Sequence, residues 1–502
     1  MLSQRPSGVL LLLFLLTGCT GTTDPASATD SEISIGVPEG NSESKDVGVR
    51  QLARTIALEG LTQLSAEGRA MPRLAESWTW GNGERNLRIR LRDNITLHDG
   101  RRLDAQTVAE ALAITIAEGS ADSYPALGDV RGAIPQSQRD LLLELKDRSP
   151  SLPADLTVLL DIPAGPYQIV KEEEGVTELE RFDKYYQGVP SIQRIKLRRF
   201  DTLRTSWASL LRHELDVVYD VPVDTVDLIR NDDIDVVSVP RWYQHLVAFN
   251  VHDPRFKSAQ VRKALNMAVD RNAIIQKVLA GAGTPSAGPI YPKYWSVDAN
   301  PPAFAFDPQG AIALLEAAGY RLSKTAGTDG PPARLRFTCL VPRDFTVWQK
   351  IALEVQKDLS NIGVDMQLKV VELDDEQALV GKSQFQAAFI NMISGPTPAR
   401  PYMWWRSARV SKGLYNVFGY ENGEAERAFG VLLRSTNDVA VRTATSQLQR
   451  VFYEDPPAIF VAWDTRNRAV SRRLEVPNDG RDPMWTLWRW TVKSPREVAL
   501  AR

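Results

Sequence analysis

The sequence predicts a mixed α/β fold. Three observations carry the prediction: strand-like and helix-like hydrophobic periods alternate along most of the chain, one stretch spells out a complete strand-helix-strand unit, and the chain is long enough to bury large cores without covalent staples. The unit runs from Arg334 to Leu373. Leu335, Phe337, Cys339 and Val341 alternate as a strand; Trp348, Ile351, Ala352, Val355, Leu359 and Ile362 keep helical spacing up to Gly363; Val364, Met366, Leu368 and Val370 alternate again. Short joints of this kind lay the two strands parallel, with a right-handed crossover. The 502 residues include only two cysteines, Cys19 and Cys339, so stability rests on core burial rather than a disulfide framework.

The N-terminus reads as an export signal. Arg5 precedes the apolar run Val9 to Leu16, which is too short to span a bilayer, and Leu16-Thr17-Gly18-Cys19 follows. A small residue, Gly and then Cys resembles a bacterial lipobox. On that reading residues 1–18 are a lipoprotein signal peptide, Cys19 is the lipidation site, and the small polar residues 19–31 form a flexible tether. The alternative is an ordinary signal peptide in which Cys19 is incidental.

From Leu74 to Leu112 the chain spells a hairpin, a tight turn and a capped helix. Trp78 and Trp80 alternate with polar residues, Gly81-Asn82-Gly83 turns the chain, and Leu87, Ile89 and Leu91 alternate with Arg88, Arg90 and Arg92. One face of that ribbon is apolar and the other cationic. Asp99-Gly100 turns again, and Asp104 is the expected N-cap of a helix whose stripe holds Val108, Ala111 and Leu112. Strands are expected at Leu141 to Lys146, Tyr167 to Lys171, Gly175 to Phe182, around Ile195 and Leu197, and at Val217 to Tyr219, with a helix from about Thr202 to His213. Val261, Ala264, Leu265 and Ala268 form a further helical stripe. Asp307-Pro308 opens another helix, which closes at Gly319.

Several of these turns and caps, in this order, resemble the pattern of family 5 extracellular solute-binding proteins, the peptide- and nickel-type receptors of ABC importers. The matching residues are Leu97-His98-Asp99-Gly100 with Leu103-Asp104-Ala105, Ala164-Gly165-Pro166-Tyr167, Phe249-Asn250, Val261-Arg262-Lys263-Ala264-Leu265, Asp270-Arg271, Gly283-Thr284-Pro285, Gly288-Pro289-Ile290, Phe306-Asp307-Pro308 and Ala317-Ala318-Gly319-Tyr320. The resemblance implies a two-lobed periplasmic-binding-protein-like fold of type II, with a small subdomain inserted in the first lobe. It places lobe I at residues 32–50, 156–249 and 465–502, the inserted subdomain at 51–155 and lobe II at 250–464, with crossings near Asn250 and Trp463. It further implies a monomer that captures a small solute, such as an oligopeptide or dipeptide, and delivers it to membrane permease subunits from a lipid anchor on the periplasmic side of a bacterial membrane.

No catalytic or metal constellation stands out. His213-Glu214 lacks a second His, Val217 occupying that position; Gly381-Lys382-Ser383 lacks the first glycine of a phosphate loop, which would stand at Glu376; and no Gly-x-Ser-x-Gly elbow occurs. The expectation is therefore a binding protein that is not an enzyme and holds neither cofactor nor metal. A formal charge of −2, or −3 once Arg5 leaves with the signal, and the absence of a basic run argue against nucleic acid as partner.

A cleft needs aromatic walls and a few fixed polar groups. Two clusters offer them: Trp242 and Tyr243 ahead of the expected crossing, and Tyr402, Trp404, Trp405 and Arg406 in the loop after the strand Ala387 to Met392. Each set of aromatics could equally be core. Asn250 is expected at the hinge, holding the crossing strands or touching ligand. The resemblance also exposes a departure. Peptide receptors of the family carry an Asp in that loop, in a D[YF]xDP-like segment, to pair with the ligand's amino terminus, whereas this chain has no acid between Glu376 and Glu421. Either another acid serves, with Asp464 as the candidate, or the ligand is not an ordinary peptide; Arg400 and Arg406 then favour an anionic or carboxylated one, the competing explanation being that both are solvated loop residues. A sensing lipoprotein with a degenerate cleft and a surface hydrolase remain the competing functions.

Overall fold

The computed structural model describes residues 31–39, 47–120, 124–322, 332–395, 397–407 and 416–494. The expected signal peptide, Cys19, the tether up to Asp30 and most of the loop from Ser323 to Pro332 lie outside them.

Two long antiparallel strands, Ile234–Phe249 and Ala458–Ser471, organise the molecule. Among the described residues they sit at the middle of an eleven-stranded sheet. On one side follow Ala387–Ile393, Leu335–Pro342 and Val364–Val371; on the other follow Val217–Val221, Glu32–Pro38, Arg194–Phe200, Val176–Arg181 and Tyr167–Glu173. The expected strand-helix-strand unit is present: the outer two strands of the first side run parallel, Leu335 opposite Val364, around the helix Thr346–Asn361.

The long strands change neighbours halfway. From Ile234 to Pro240 the first pairs Ser471 back to Thr465; pairing resumes only at Gln244 opposite Trp463. Arg241, Trp242 and Tyr243 thus face the single residue Asp464, a bulge at a proline that has no N–H to give the ladder. By Tyr243 the strand already pairs Ile393 of the second half. The changeover therefore lies at residues 240–243, ahead of Asn250, which sits at the far end of the strand within the second lobe.

Each half has its own core. In the second lobe one layer gathers Phe256, Phe337, Ile351 and Phe389, and another gathers Trp405, Phe418, Phe452 and Phe460. The first lobe packs Ile33, Ile35, Leu197 and Trp490 with Leu52, Ala53 and Ile56 of the helix Val47–Ala57. From residue 51 onward that helix falls within the span expected for the inserted subdomain, yet it packs in the lobe core. The inserted unit's own core runs from Leu61 to Ala164 around the four-stranded sheet containing Ala75–Trp80 and Asn86–Leu91. There Trp78 opposes Ile89 and Trp80 opposes Leu87, as the alternation requires, and the Asp104 carboxylate accepts the Thr107 N–H at 2.8 Å to start the helix Ala105–Ala117.

One buried acid makes stability pH-dependent. Glu376, on the helix Leu373–Gly381, is 3% exposed, and one carboxyl oxygen has no hydrogen-bond partner. Burial pushes its carboxyl up to about 8. The unfolded chain releases this proton near the ordinary value of 4.5 while the folded chain keeps it, so the Glu376 contribution to stability falls as pH rises from about 4.5 to about 8 and is level outside that window. Glu376→Gln removes the slope and stabilises the protein by about 2–4 kcal/mol at pH 8. Urea denaturation at pH 4.5 and pH 8 measures it; equal effects at both would refute the assignment.

Candidate ligand site

The inserted unit and the second lobe face each other across a seam. Arg69 of the inserted unit pairs with Asp438 at 2.7 Å, and its guanidinium lies 3.8 Å from the ring centre of Trp295. The Trp295 N–H donates to the Glu67 carbonyl at 3.1 Å, and the Thr436 hydroxyl donates to Glu84 at 2.6 Å. Three cavities open along this line. A broad groove of about 680 Å³ runs past Glu84, Arg148, Arg427 and Arg434. A chamber of about 280 Å³ is walled by Trp78, Trp80, Trp295 and the stretch 397–399. A smaller one, about 190 Å³, is lined by Asp129, Asp155, Arg148, Arg400, Tyr402, Arg406 and Arg434. Apolar walls with a few fixed charges are what a small-solute site requires.

The loop carrying the basic wall is tightly placed. The Ser394 N–H donates to the Trp242 carbonyl at 2.8 Å, the Ser394 hydroxyl to the Pro289 carbonyl at 2.6 Å, and the Tyr294 hydroxyl to the Gly395 carbonyl. Gly395 has φ +76°, and a Cβ there would collide with the Arg400 stem, so glycine lets the arginine fold back over the turn. The Arg400 Nε has no hydrogen-bond partner. Across the chamber Asp155 is 6% exposed and accepts the Ala126 N–H at 2.8 Å. Burial pushes its carboxyl up to about 6 against the pull of that N–H and of the Arg400 charge.

The expected site residues divide. Tyr402 and Arg406 line the small chamber. Arg406 is engaged, its Nε donating to Glu426 at 3.1 Å, which leaves Arg400 as the arginine with an unsatisfied donor. Trp405 is a correction: it is fully buried, with Phe418, Tyr420, Phe452 and Phe460 around it, and reaches none of the three cavities. It alternates with Trp404 on a one-turn helix, and the turn points one ring inward. Trp404 donates from Nε1 to the Ile393 carbonyl at 3.0 Å and braces the loop from behind. Trp242 and Tyr243 lie half-buried in the changeover bulge, Tyr243 beneath the Arg241 guanidinium at 4.1 Å. None of these three lines a seam cavity. Asn250 spends its amide on backbone, donating to the Ser383 and Phe385 carbonyls at 3.2 and 2.9 Å and accepting the His252 N–H at 3.1 Å. It fastens the end of the long strand.

Asp464, the candidate ammonium partner, is already committed. It lies 3.7 Å from Arg241 and 3.8 Å from the His245 ring. Burial alone would raise its carboxyl, and those two neighbours with the Thr465 N–H outweigh it and hold the group below the usual range. Among the described residues no cluster of three or more His, Cys, Asp or Glu forms a metal-binding group. Sequence reading missed Asp155, Arg69, Trp295 and Asp438, because they come together only when the inserted unit meets the second lobe.

Two α/β lobes crossed by paired strands, with a smaller unit facing the second lobe over a lined seam, define the two-lobed periplasmic-binding-protein class. The profile of the bacterial extracellular solute-binding proteins, family 5, matches residues 69–412, and the chain belongs to that family. It is 24% identical over 324 residues to the glutathione-binding protein GsiB of Pectobacterium atrosepticum, covering 62% of this chain and 60% of that one. It is 23% identical over 442 residues, 80% of each chain, to the oligopeptide-binding protein AppA of Bacillus subtilis. In fold it is similar to the crystal structure of NikZ from Campylobacter jejuni in complex with Ni(L-His), with a TM-score of 0.72 at 19% identity over 92% of this chain and 99% of that one.

Proposed function

We propose that this protein is the substrate-binding component of an ABC importer, capturing a small peptide-like solute along the seam and delivering it to membrane permease subunits. The observation that carries this reading is the placement of the three cavities described above: each lies where the inserted unit meets the second lobe. A solute held there touches both bodies only when they are closed, so binding shifts the open-closed equilibrium about the bulged changeover at residues 240–243. Relatives named for glutathione and for oligopeptides support a peptide-like ligand.

A thermal-shift screen of peptides, glutathione, sugars and nickel–histidine, combined with mass spectrometry of copurifying compounds, tests the reading. One class raises the melting midpoint, and small-angle scattering shows compaction with it. A screen without any stabilising compound, from a protein that copurifies with nothing, would refute capture.

The reading includes export and acylation at Cys19, for the sequence reasons given above. Dual or triple acylation holds a protein at a membrane without a spanning helix. Cys19→Ser therefore moves the protein from the membrane to the soluble fraction; fractionation and immunoblotting follow it, and an unchanged distribution would refute lipid anchoring.

A further inference from the structure

The family resemblance leaves a gap at the loop 393–401, which carries an arginine and no acid. The structure shows which charges face the chamber in its place. Asp129 and Asp155 come from the inserted unit, and Arg400 and Arg434 from the second lobe. None of the four has an oppositely charged side chain within 4.0 Å among the described residues, whereas the chamber's other two arginines are already paired, Arg148 with Glu84 at 2.5 Å and Arg406 with Glu426 at 3.1 Å. One wall is acidic, the facing wall is basic, and space separates them.

Taking the capture reading as given, we propose that this chamber binds the head of a small zwitterion, its ammonium against Asp155 and its carboxylate against Arg400. The polarity is the reverse of the one the family pattern implies: the acid stands on the inserted unit and the cation on the loop of the second lobe. The charges select the ligand class. An anion alone would satisfy Arg400 and leave the buried Asp155 carboxylate facing it without a counter-charge, and a cation alone would leave the half-buried Arg400 unpaired. A molecule carrying both charges satisfies both walls and, because the walls belong to different bodies, also holds the lobes together. Asp155 is the stronger acidic partner because it is 6% exposed and its position is fixed by the Ala126 N–H. Arg400 is the stronger basic one because it is half-buried in the chamber wall, where Arg434 is exposed, and no carboxylate of the described residues pairs with it.

The chamber's size says where the rest of the ligand goes. About 190 Å³ holds a head group and little else, and the neighbouring chamber of about 280 Å³ shares the walls Ser151, Thr397 and Ala399. That second chamber is faced by Trp78, Trp80 and Trp295, which suits an apolar or aromatic tail.

The probes are L-phenylalanine and L-alanyl-L-phenylalanine, each also as its N-acetyl and C-amide derivative, titrated calorimetrically into the mature protein after removal of copurified compounds. At least one free zwitterion binds, and blocking either end weakens binding by about thirtyfold or more, the loss typical of a buried charge left unpaired. Asp155→Asn weakens the free compound by a similar factor and leaves the N-acetyl derivative where it was; Arg400→Met does the same for the free compound and the C-amide. Melting midpoints close to wild type show that both variants fold. Equal affinity for free and blocked compounds, or unchanged affinity in both variants, overturns the proposal. It also falls, with capture intact, if neither zwitterion binds while the copurifying compound lacks an ammonium or a carboxylate. If nothing binds and nothing copurifies, both readings fall.

Discussion

Glu59→Ala lowers the stability of the protein by about 3–5 kcal/mol, the range for breaking a buried ion pair by removing one partner. Glu59 is fully buried. One of its oxygens accepts from Arg73 at 3.0 Å and from the Tyr185 hydroxyl at 2.8 Å, and the other accepts from the Tyr186 hydroxyl at 2.8 Å. Arg73 is itself 6% exposed, and its Nε has no hydrogen-bond partner, so Glu59 is the carboxylate that balances it. Alanine strands that cation and two phenol groups without water to replace the lost acceptor. The network ties the base of the inserted unit to the segment following the strand Val176–Arg181, so its loss also loosens the unit that carries the acidic wall. Chemical denaturation measures the effect, and Arg73→Met is the informative companion. If the penalty is the stranded cation, the double variant recovers much of the loss; strictly additive losses would show that the two side chains act independently.

The parts of this fold legible in the sequence are those whose determinants are local. The alternation of Leu335 to Val341 and of Val364 to Val370, with Gly363 between helix and strand, specified a parallel pair that the structure contains with Leu335 opposite Val364. Asp307 before Pro308 marked a helix start, and its carboxylate accepts the Gly310 N–H at 2.8 Å. The two tryptophans of the hairpin fell on the apolar face because strand periodicity leaves no other choice. Features that depend on non-local pairing were harder to place. The changeover at residues 240–243 is set by which strand each residue pairs with, and nothing in the run from Trp242 to Asn250 distinguishes its two ends. The acidic wall was invisible for the same reason. Asp155 lies about 245 positions before Arg400 in sequence, and only the docking of the inserted unit brings the two walls to one chamber.

Aromatic runs pose a sharper version of that problem, and Trp405→Ala resolves it. The sequence offers Tyr402, Trp404 and Trp405 as one cluster, yet the helical turn they share sends them in different directions. Trp405 is wholly buried, with its ring 5.3 Å from Phe418 and 6.0 Å from Phe460, centre to centre. Truncating it opens a cavity among rings that cannot collapse inward without leaving their own contacts, and the expected loss is about 3–5 kcal/mol. Its indole N–H has no hydrogen-bond partner in the structure, so no polar interaction is forfeited and the loss is one of packing. Tyr402→Phe supplies the contrast. That hydroxyl-bearing ring lines the chamber, so its removal spares most of the stability and acts on affinity. Denaturation and calorimetry on the two variants separate the roles. Trp405→Ala unfolds earlier while the folded fraction binds as before, and an unaltered denaturation midpoint with weakened binding would instead place Trp405 among the residues that touch solute.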